Sequence, residues 1–134
     1  MKKIVLIVLI IVIIVGVGGY FYLKQTNNKS KEILNEYISK ITDQKYDEMY
    51  EMINKESKQK ISKEDFISRN KKIYEGIDLS NITTEIKDVK NIGTKKEISY
   101  TEKMEASGGE ITFDNKVILN YENGYKISWS STLI

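Results

Sequence analysis

Cysteine, histidine and proline are all missing from the 134 residues. Without cysteine the chain can form no disulfide, offers no thiol nucleophile and cannot build a zinc–thiolate site. Without histidine there is no imidazole base, no Ser-His-Asp triad and no histidine ligand for a metal. A charge excess is missing too. The formal +2 comes from Lys2 and Lys3, and residues 24–134 carry nineteen basic and nineteen acidic side chains. Nucleic-acid binders usually show a basic excess, so no nucleic acid is expected as a partner. No Asp-x-Asp-x-Asp-Gly loop, Gly-rich phosphate loop or interleaving of aromatic and basic residues occurs, and no metal or cofactor is expected.

Charge is absent altogether from residues 4–23, which are apolar except for Gly16, Gly18 and Gly19. Twenty helical residues rise about 30 Å, the thickness of a bilayer's hydrocarbon core. Tyr20 and Tyr22 close the run, where aromatic rings favour the headgroup boundary. A soluble domain of about 110 residues could not cover a helix that is apolar all round, which excludes a buried core helix. The competing reading is a signal peptide with residues 4–15 as its core and Gly16 and Gly18 as the small residues before a cut after Gly18. Glycine is a weaker cleavage signal than alanine, and Tyr20-Phe21-Tyr22-Leu23 prolongs the apolar run past that point. An uncleaved anchor over residues 1–23, contacting the lipid bilayer through residues 4–23, is therefore the reading. Lysines flank both ends of the run. The very short N-terminal tail favours a single-pass protein of the cell membrane, with its C-terminal domain outside the cytoplasm.

Residues 24–31 contain no apolar side chain and read as a polar linker. A period of 3.6 follows. Ile33, Leu34, Tyr37, Ile38 and Ile41 predict a helix over 31–42 with Ser30 as its N-cap. Tyr46, Met49, Tyr50 and Ile53 predict a second helix, entered at Asp43. Phe66, Ile73, Tyr74 and Ile77 predict a third. It is opened by the Ser62-Lys63-Glu64-Asp65 capping box and closed by Gly76.

From about residue 81 the period becomes two. Ile82, Thr84 and Ile86 form one alternating set, and Ile98, Tyr100 and Met104 a second. Ile111, Phe113, Val117, Leu119 and Tyr121 form the third; Tyr125, Ile127 and Trp129 form the last. Four strands, each with one apolar face, predict an antiparallel sheet. Cross-strand partners share a face. Tyr121 should therefore oppose Tyr125, Leu119 oppose Ile127 and Val117 oppose Trp129. This leaves the three-residue loop Glu122-Asn123-Gly124, with glycine in the left-handed position. Met104 should oppose Ile111 across an even-length loop within residues 106–109. Lys95, Lys96, Glu97, Asp114 and Lys116 read as a solvated surface. The fold expected over residues 32–134 is α+β, three helices on one face of a curved antiparallel sheet.

Few catalytic templates survive this composition. Ser57-Lys58-Gln59-Lys60 and Ser68-Arg69-Asn70-Lys71 match the Ser-x-x-Lys spacing of β-lactam-reactive enzymes. No Lys-Thr-Gly accompanies them, and Ser57 and Lys60 read as part of an exposed connection. A fold of this kind can enclose a pocket in which a desolvated carboxylic acid acts as base and a tyrosine as acid. The candidates are Tyr37, Tyr74, Tyr100 and Trp129, which read first as core aromatics, and Glu102. Glu102 breaks the inward series Ile98, Tyr100, Met104, so it is the best candidate for a perturbed acid. An exposed edge position is its simpler explanation.

Several segments taken together resemble a known family: the apolar N-terminal run, Lys45-Tyr46-Asp47-Glu48-Met49-Tyr50, Ile61-Ser62-Lys63-Glu64-Asp65-Phe66 through Ile73-Tyr74, and Gly124-Tyr125-Lys126-Ile127-Ser128-Trp129 continuing to Ile134. From about residue 30 to 134 the sequence resembles the N-terminal domain of MecA-type penicillin-binding proteins. That resemblance implies a cone-shaped, nuclear transport factor 2-like (cystatin-like) fold and a non-catalytic role between membrane anchor and transpeptidase. It also implies surroundings of peptidoglycan and cell-wall synthesis proteins, and a link to the response to β-lactams. In the family the closing strand continues through a proline into further domains. Here proline and the active-site motifs are absent, so no catalytic residue carries over. The expectation is either a truncated penicillin-binding protein or a standalone module. The alternatives are a small pocket-containing enzyme or ligand-binding domain of the same fold, or a secreted binding protein.

Overall fold

The computed structural model describes residues 2–129. Its first element is a single helix, α1 (Lys2–Thr42), about 62 Å long at 1.5 Å per residue. The linker expected over residues 24–31 is therefore helical, and Ser30 does not start a new helix. Nothing in the segment stops one: it holds no proline or glycine, and its polar side chains bond back onto the turn before them. Thr26 Oγ1 donates to the Leu23 carbonyl at 3.1 Å and Ser30 Oγ to the Asn27 carbonyl at 2.7 Å. Ser30 is fully buried, so the residue expected to cap the helix lies within it and packs against the domain. The apolar side chains of residues 4–23 are all exposed, and this part of α1 is long and apolar enough to cross a membrane.

A turn with Gln44 at φ +56° leads into α2 (Tyr46–Met52). Next comes a six-residue helix that periodicity does not predict, α3 (Lys55–Lys60), capped by Asn54, whose side chain accepts from Ser57 N. The helix α4 (Lys63–Ile73) starts as expected, with Ser62 Oγ accepting from Asp65 N at 3.1 Å. Gly76, at φ +76°, turns the chain toward the sheet, a conformation that glycine adopts without the Cβ penalty.

Four strands, β1 (Ile77–Ile92), β2 (Lys95–Ala106), β3 (Gly109–Tyr121) and β4 (Tyr125–Ser128), form an antiparallel meander in chain order. The pairs Tyr121–Tyr125, Leu119–Ile127 and Met104–Ile111 are those parity requires, the last across the two-residue loop Ser107-Gly108. β4 stops at Ser128, so the ladder does not reach the expected Val117–Trp129 pair, although both side chains are buried. In the loop between β3 and β4 Asn123, not glycine, takes the left-handed φ of +56°, and Gly124 has φ +124°. β1 starts earlier and runs longer than alternation suggests. Its half-buried residues switch from odd (Ile77, Leu79) to even (Ile82, Ile86) and back to odd (Val89). Register shifts between Asp78 and Thr83 and between Ile86 and Asp88 cause both switches, since each inserted odd number of residues reverses the face.

Helices cover one face of the sheet. Leu34, Ile38 and Ile41 of α1, Met49 of α2 and Phe66 of α4 pack on Ile98, Met104, Leu119 and Ile127. The chain belongs to the α+β class with the NTF2-like arrangement of helices on a curved sheet. Ile53 and Asn54 join the helical layer to β4, with Asn54 N donating to the Ile127 carbonyl at 2.8 Å.

Phe66 is fully buried, its ring 5.5 Å from that of Tyr50 and 6.3 Å from that of Trp129. Truncating such a ring costs about 3–5 kcal/mol. In urea unfolding of the detergent-solubilised chain, Phe66→Ala should lose that much, while Phe21→Ala, in the exposed apolar run, should lose almost nothing. A loss below about 1 kcal/mol for Phe66→Ala would contradict this core.

Candidate functional site

β2 turns its even-numbered residues inward: Ile98, Tyr100, Glu102 and Met104 are all buried. Glu102 is only 1% exposed, so the exposed-edge explanation fails. β2 is an interior strand, with Thr84 of β1 and Phe113 of β3 opposite Glu102. Its Oε1 has no hydrogen-bond partner. Burial pushes its pKa up to about 7, because a carboxylate loses more solvation than a carboxylic acid on leaving water.

Three of the four candidate aromatics gather around this acid. Tyr37, from α1, is half-buried; Tyr74, just after α4, and Tyr100, on β2, are buried. All three phenols are pushed well above their ordinary range, first by burial. For Tyr74 and Tyr100 the next cause is the charge of Glu102; for Tyr37 it is Tyr100 and then Glu102. The Tyr100 phenol has a partner in Asn115, directly across on β3, whereas Tyr74 Oη has none. Tyr74 also stacks on Tyr46, with centroids 6.3 Å apart, and lines an open groove of about 510 Å³ with Thr42, Gln44, Ile77 and Leu79. The three phenols stay protonated at neutral pH, whereas Glu102, at about 7, is divided there between its two forms. The phenols can donate hydrogen bonds, while a carboxyl with this pKa can take up or release a proton near neutral pH.

Trp129 lies elsewhere. It packs on Phe66, with the Arg69 guanidinium 5.7 Å from its ring centroid. Ser57 is another correction. It is 1% exposed, not part of an exposed connection. Its hydroxyl donates to Asn54 Oδ1 and accepts from Trp129 N at 2.8 Å, while Lys60 pairs with Glu56 at 3.4 Å. This serine fastens α3 to the end of β4, and its neighbouring lysine is committed outward. Ser68 and Lys71 are exposed on α4. Among the described residues no group of acids could hold a metal ion.

Lys96 was read as solvated surface and is 5% exposed. Its Nζ donates to Thr26 Oγ1 of α1 at 2.9 Å and to Asn91 Oδ1 of β1, and burial lowers its pKa. The signal was present in the sequence. Position 96 belongs to the same inward even-numbered series as 98, 100, 102 and 104, so Lys96 and Glu102 are two polar intrusions on one apolar face.

Residues 29–134 match the family described as the NTF2-like N-terminal transpeptidase domain. The chain belongs to that family. The match begins at Lys29, one residue before buried Ser30, so the unit it defines includes the end of α1 that packs on the sheet. This N-terminal transpeptidase domain is 28% identical over 143 positions to penicillin-binding protein 3 of Bacillus subtilis strain 168. The alignment takes in the whole chain and spans 21% of the length of that relative. The solution structure of a SEC-C motif containing protein from Rhodopseudomonas palustris superimposes with a TM-score of 0.60 at 10% identity, covering 76% of this chain and 77% of that one; the likeness is one of fold. The closing segment of the family resemblance, residues 130–134, lies outside the described residues.

The raised pKa of Glu102 is also a statement about stability. Its folded value, about 7, lies above the ordinary 4.5. Its contribution is therefore fully present below pH 4.5 and is lost as pH rises through 7. The full loss is about 3 kcal/mol. Glu102→Gln keeps the shape without the charge. It should match the parent in urea unfolding at pH 4 and exceed it by about 3 kcal/mol at pH 9. Equal stability at both pH values would show that Glu102 ionises in the fold as it does in water.

Proposed function

We propose that this chain is a membrane-anchored, extracytoplasmic and non-catalytic module. It acts as spacer and interaction domain beside peptidoglycan and cell-wall synthesis proteins, in the setting where β-lactams act. The carrying observation is the continuity of α1 from its apolar run into the domain core. A helix without a break transmits position and orientation, as a spacer requires. Membership of the N-terminal transpeptidase family supports the cell-wall setting. The engagement of Ser57 with Asn54 and Trp129 supports the absence of acyl-transfer chemistry, because covalent acylation by a β-lactam needs an activated, accessible nucleophile.

The unpartnered Glu102 carboxyl beside Tyr74 favours one second reading, a small-ligand pocket in the same interior. An apolar ligand that displaces the titration of Glu102, followed by NMR, would support it. A titration unmoved by any ligand tried would leave the spacer reading in place.

Two measurements test the proposal. Protease added to intact cells should remove residues beyond the anchor, and full protection would contradict the extracytoplasmic placement. A fluorescent penicillin should leave the purified chain unlabelled, and stoichiometric labelling would contradict the non-catalytic reading.

A further inference from the structure

β1 and α1 run alongside each other in opposite directions. Ile77, Leu79 and Ser80, at the start of β1, share a groove with Thr42 and Gln44, at and just past the far end of the helix. Asn91, near the end of β1, is joined to Thr26 through the buried Lys96 ammonium. The hairpin between β1 and β2 therefore points back along α1 toward its apolar run. Ile92 pairs with Lys95, leaving Gly93 and Thr94 as a two-residue turn with Gly93 at φ +59°. This tip lies two residues past Asn91, about 6.6 Å at the strand rise. On the helix, Leu23, the last apolar residue of the run, lies three residues before Thr26, about 4.5 Å. The tip thus reaches the axial level at which the apolar run ends. The headgroup layer on each side of a bilayer is about 5–7 Å deep.

The chemistry of the tip fits that level. Residues 24–31 and 90–96, which Lys96 ties together, contain six lysines and no acid, while the rest of residues 24–134 holds thirteen basic and nineteen acidic side chains. A domain that is neutral as a whole is polarised, with its positive end beside the apolar run. At that end Lys24, Lys29, Lys90 and Lys95 are exposed, and Ile92 is a 45% exposed aliphatic side chain beside the turn. Lysines around an exposed apolar residue suit the boundary between anionic headgroups and acyl chains.

We propose that the β1–β2 hairpin is a second membrane contact, seating Ile92 at the headgroup boundary of the bilayer that α1 crosses, with Lys90 and Lys95 on lipid phosphates. The inference rests on α1 being the span. It gives the domain two points of attachment, so that the sheet stands in a fixed rotation about α1 over the surface.

The absence of cysteine makes the test direct. The full chain carrying Thr94→Cys, Ser107→Cys or Val12→Cys is labelled with an environment-sensitive fluorophore and reconstituted into phosphatidylglycerol vesicles. The vesicles contain lipid spin-labelled at the headgroup or deep in the acyl chain. The Thr94 probe should be quenched by headgroup spin label at least threefold more than the Ser107 probe, which sits in the hairpin at the opposite end of β2. Quenching at Thr94 should fall at least twofold in phosphatidylcholine, or when Lys90→Glu and Lys95→Glu are added. The Val12 probe should be quenched by the deep label. Equal quenching of the Thr94 and Ser107 probes, with Val12 quenched, would overturn the hairpin contact while leaving the span intact. An unquenched Val12 probe would overturn the span and the contact with it. Quenching at Thr94 indifferent to lipid charge and to both lysine substitutions would overturn the role given to the phosphates.

Discussion

The architecture depends on one constraint: the helix that carries the apolar run is the same helix that carries the core. Leu23 ends the exposed apolar segment, and Ser30 is already buried against the domain. Six residues of helix lie between them, and the rise from one to the other is about 10 Å. No proline interrupts the segment, and its nearest glycine, Gly19, lies within the apolar run. The orientation of Leu34, Ile38 and Ile41 in the core is thereby coupled to the orientation of the span. A flexible linker would have uncoupled them and let the domain wander over a hemisphere of directions.

The inner face of β2 shows how the domain accommodates polar groups at its two ends in different ways. Lys96 and Glu102 stand six residues apart on one face, about 20 Å along the strand, too far to pair. Lys96 is reconciled with burial by two side-chain oxygens, and in return it fastens the β1–β2 hairpin to α1. Glu102 leaves Oε1 unpartnered, with the phenols of Tyr37, Tyr74 and Tyr100 around it. It is tolerated because it can stay protonated, and the cost appears only when pH rises high enough to ionise it. One intrusion is a fastening and the other a reservoir of instability.

How far the sequence foretells these features depends on how local their causes are. The capping of α4 by Ser62 and the register of β2, β3 and β4 follow from short-range chemistry and parity, and both are as expected. Tyr37, Tyr74, Tyr100 and Glu102 come together because each sits on an inward position of its element, which periodicity reveals; Trp129 shares the apolar character but belongs to a different part of the core. Residues 24–31 are polar without being flexible: they hold no helix breaker, and helix on either side lets the segment continue. α3 escaped notice because it is a single short element held by Asn54 and Ser57 rather than by an apolar stripe. β1 was seen only in part because two bulges break its alternation into three pieces. The charge of Lys96 suggests the surface, whereas its even position in β2 places it inside.

Amide hydrogen exchange on the full chain in lipid bilayers reads whether unbroken helix joins the apolar run to the domain. Residues 24–29 are polar and, apart from half-buried Thr26 and Asn27, exposed, so their helical hydrogen bonds are the main brake on exchange there. Protection should run through this segment and join that of the apolar run to that of residues 31–42 without a gap. Exchange at the rate of an unstructured peptide across residues 24–29, with protection on both sides, would contradict the unbroken helix.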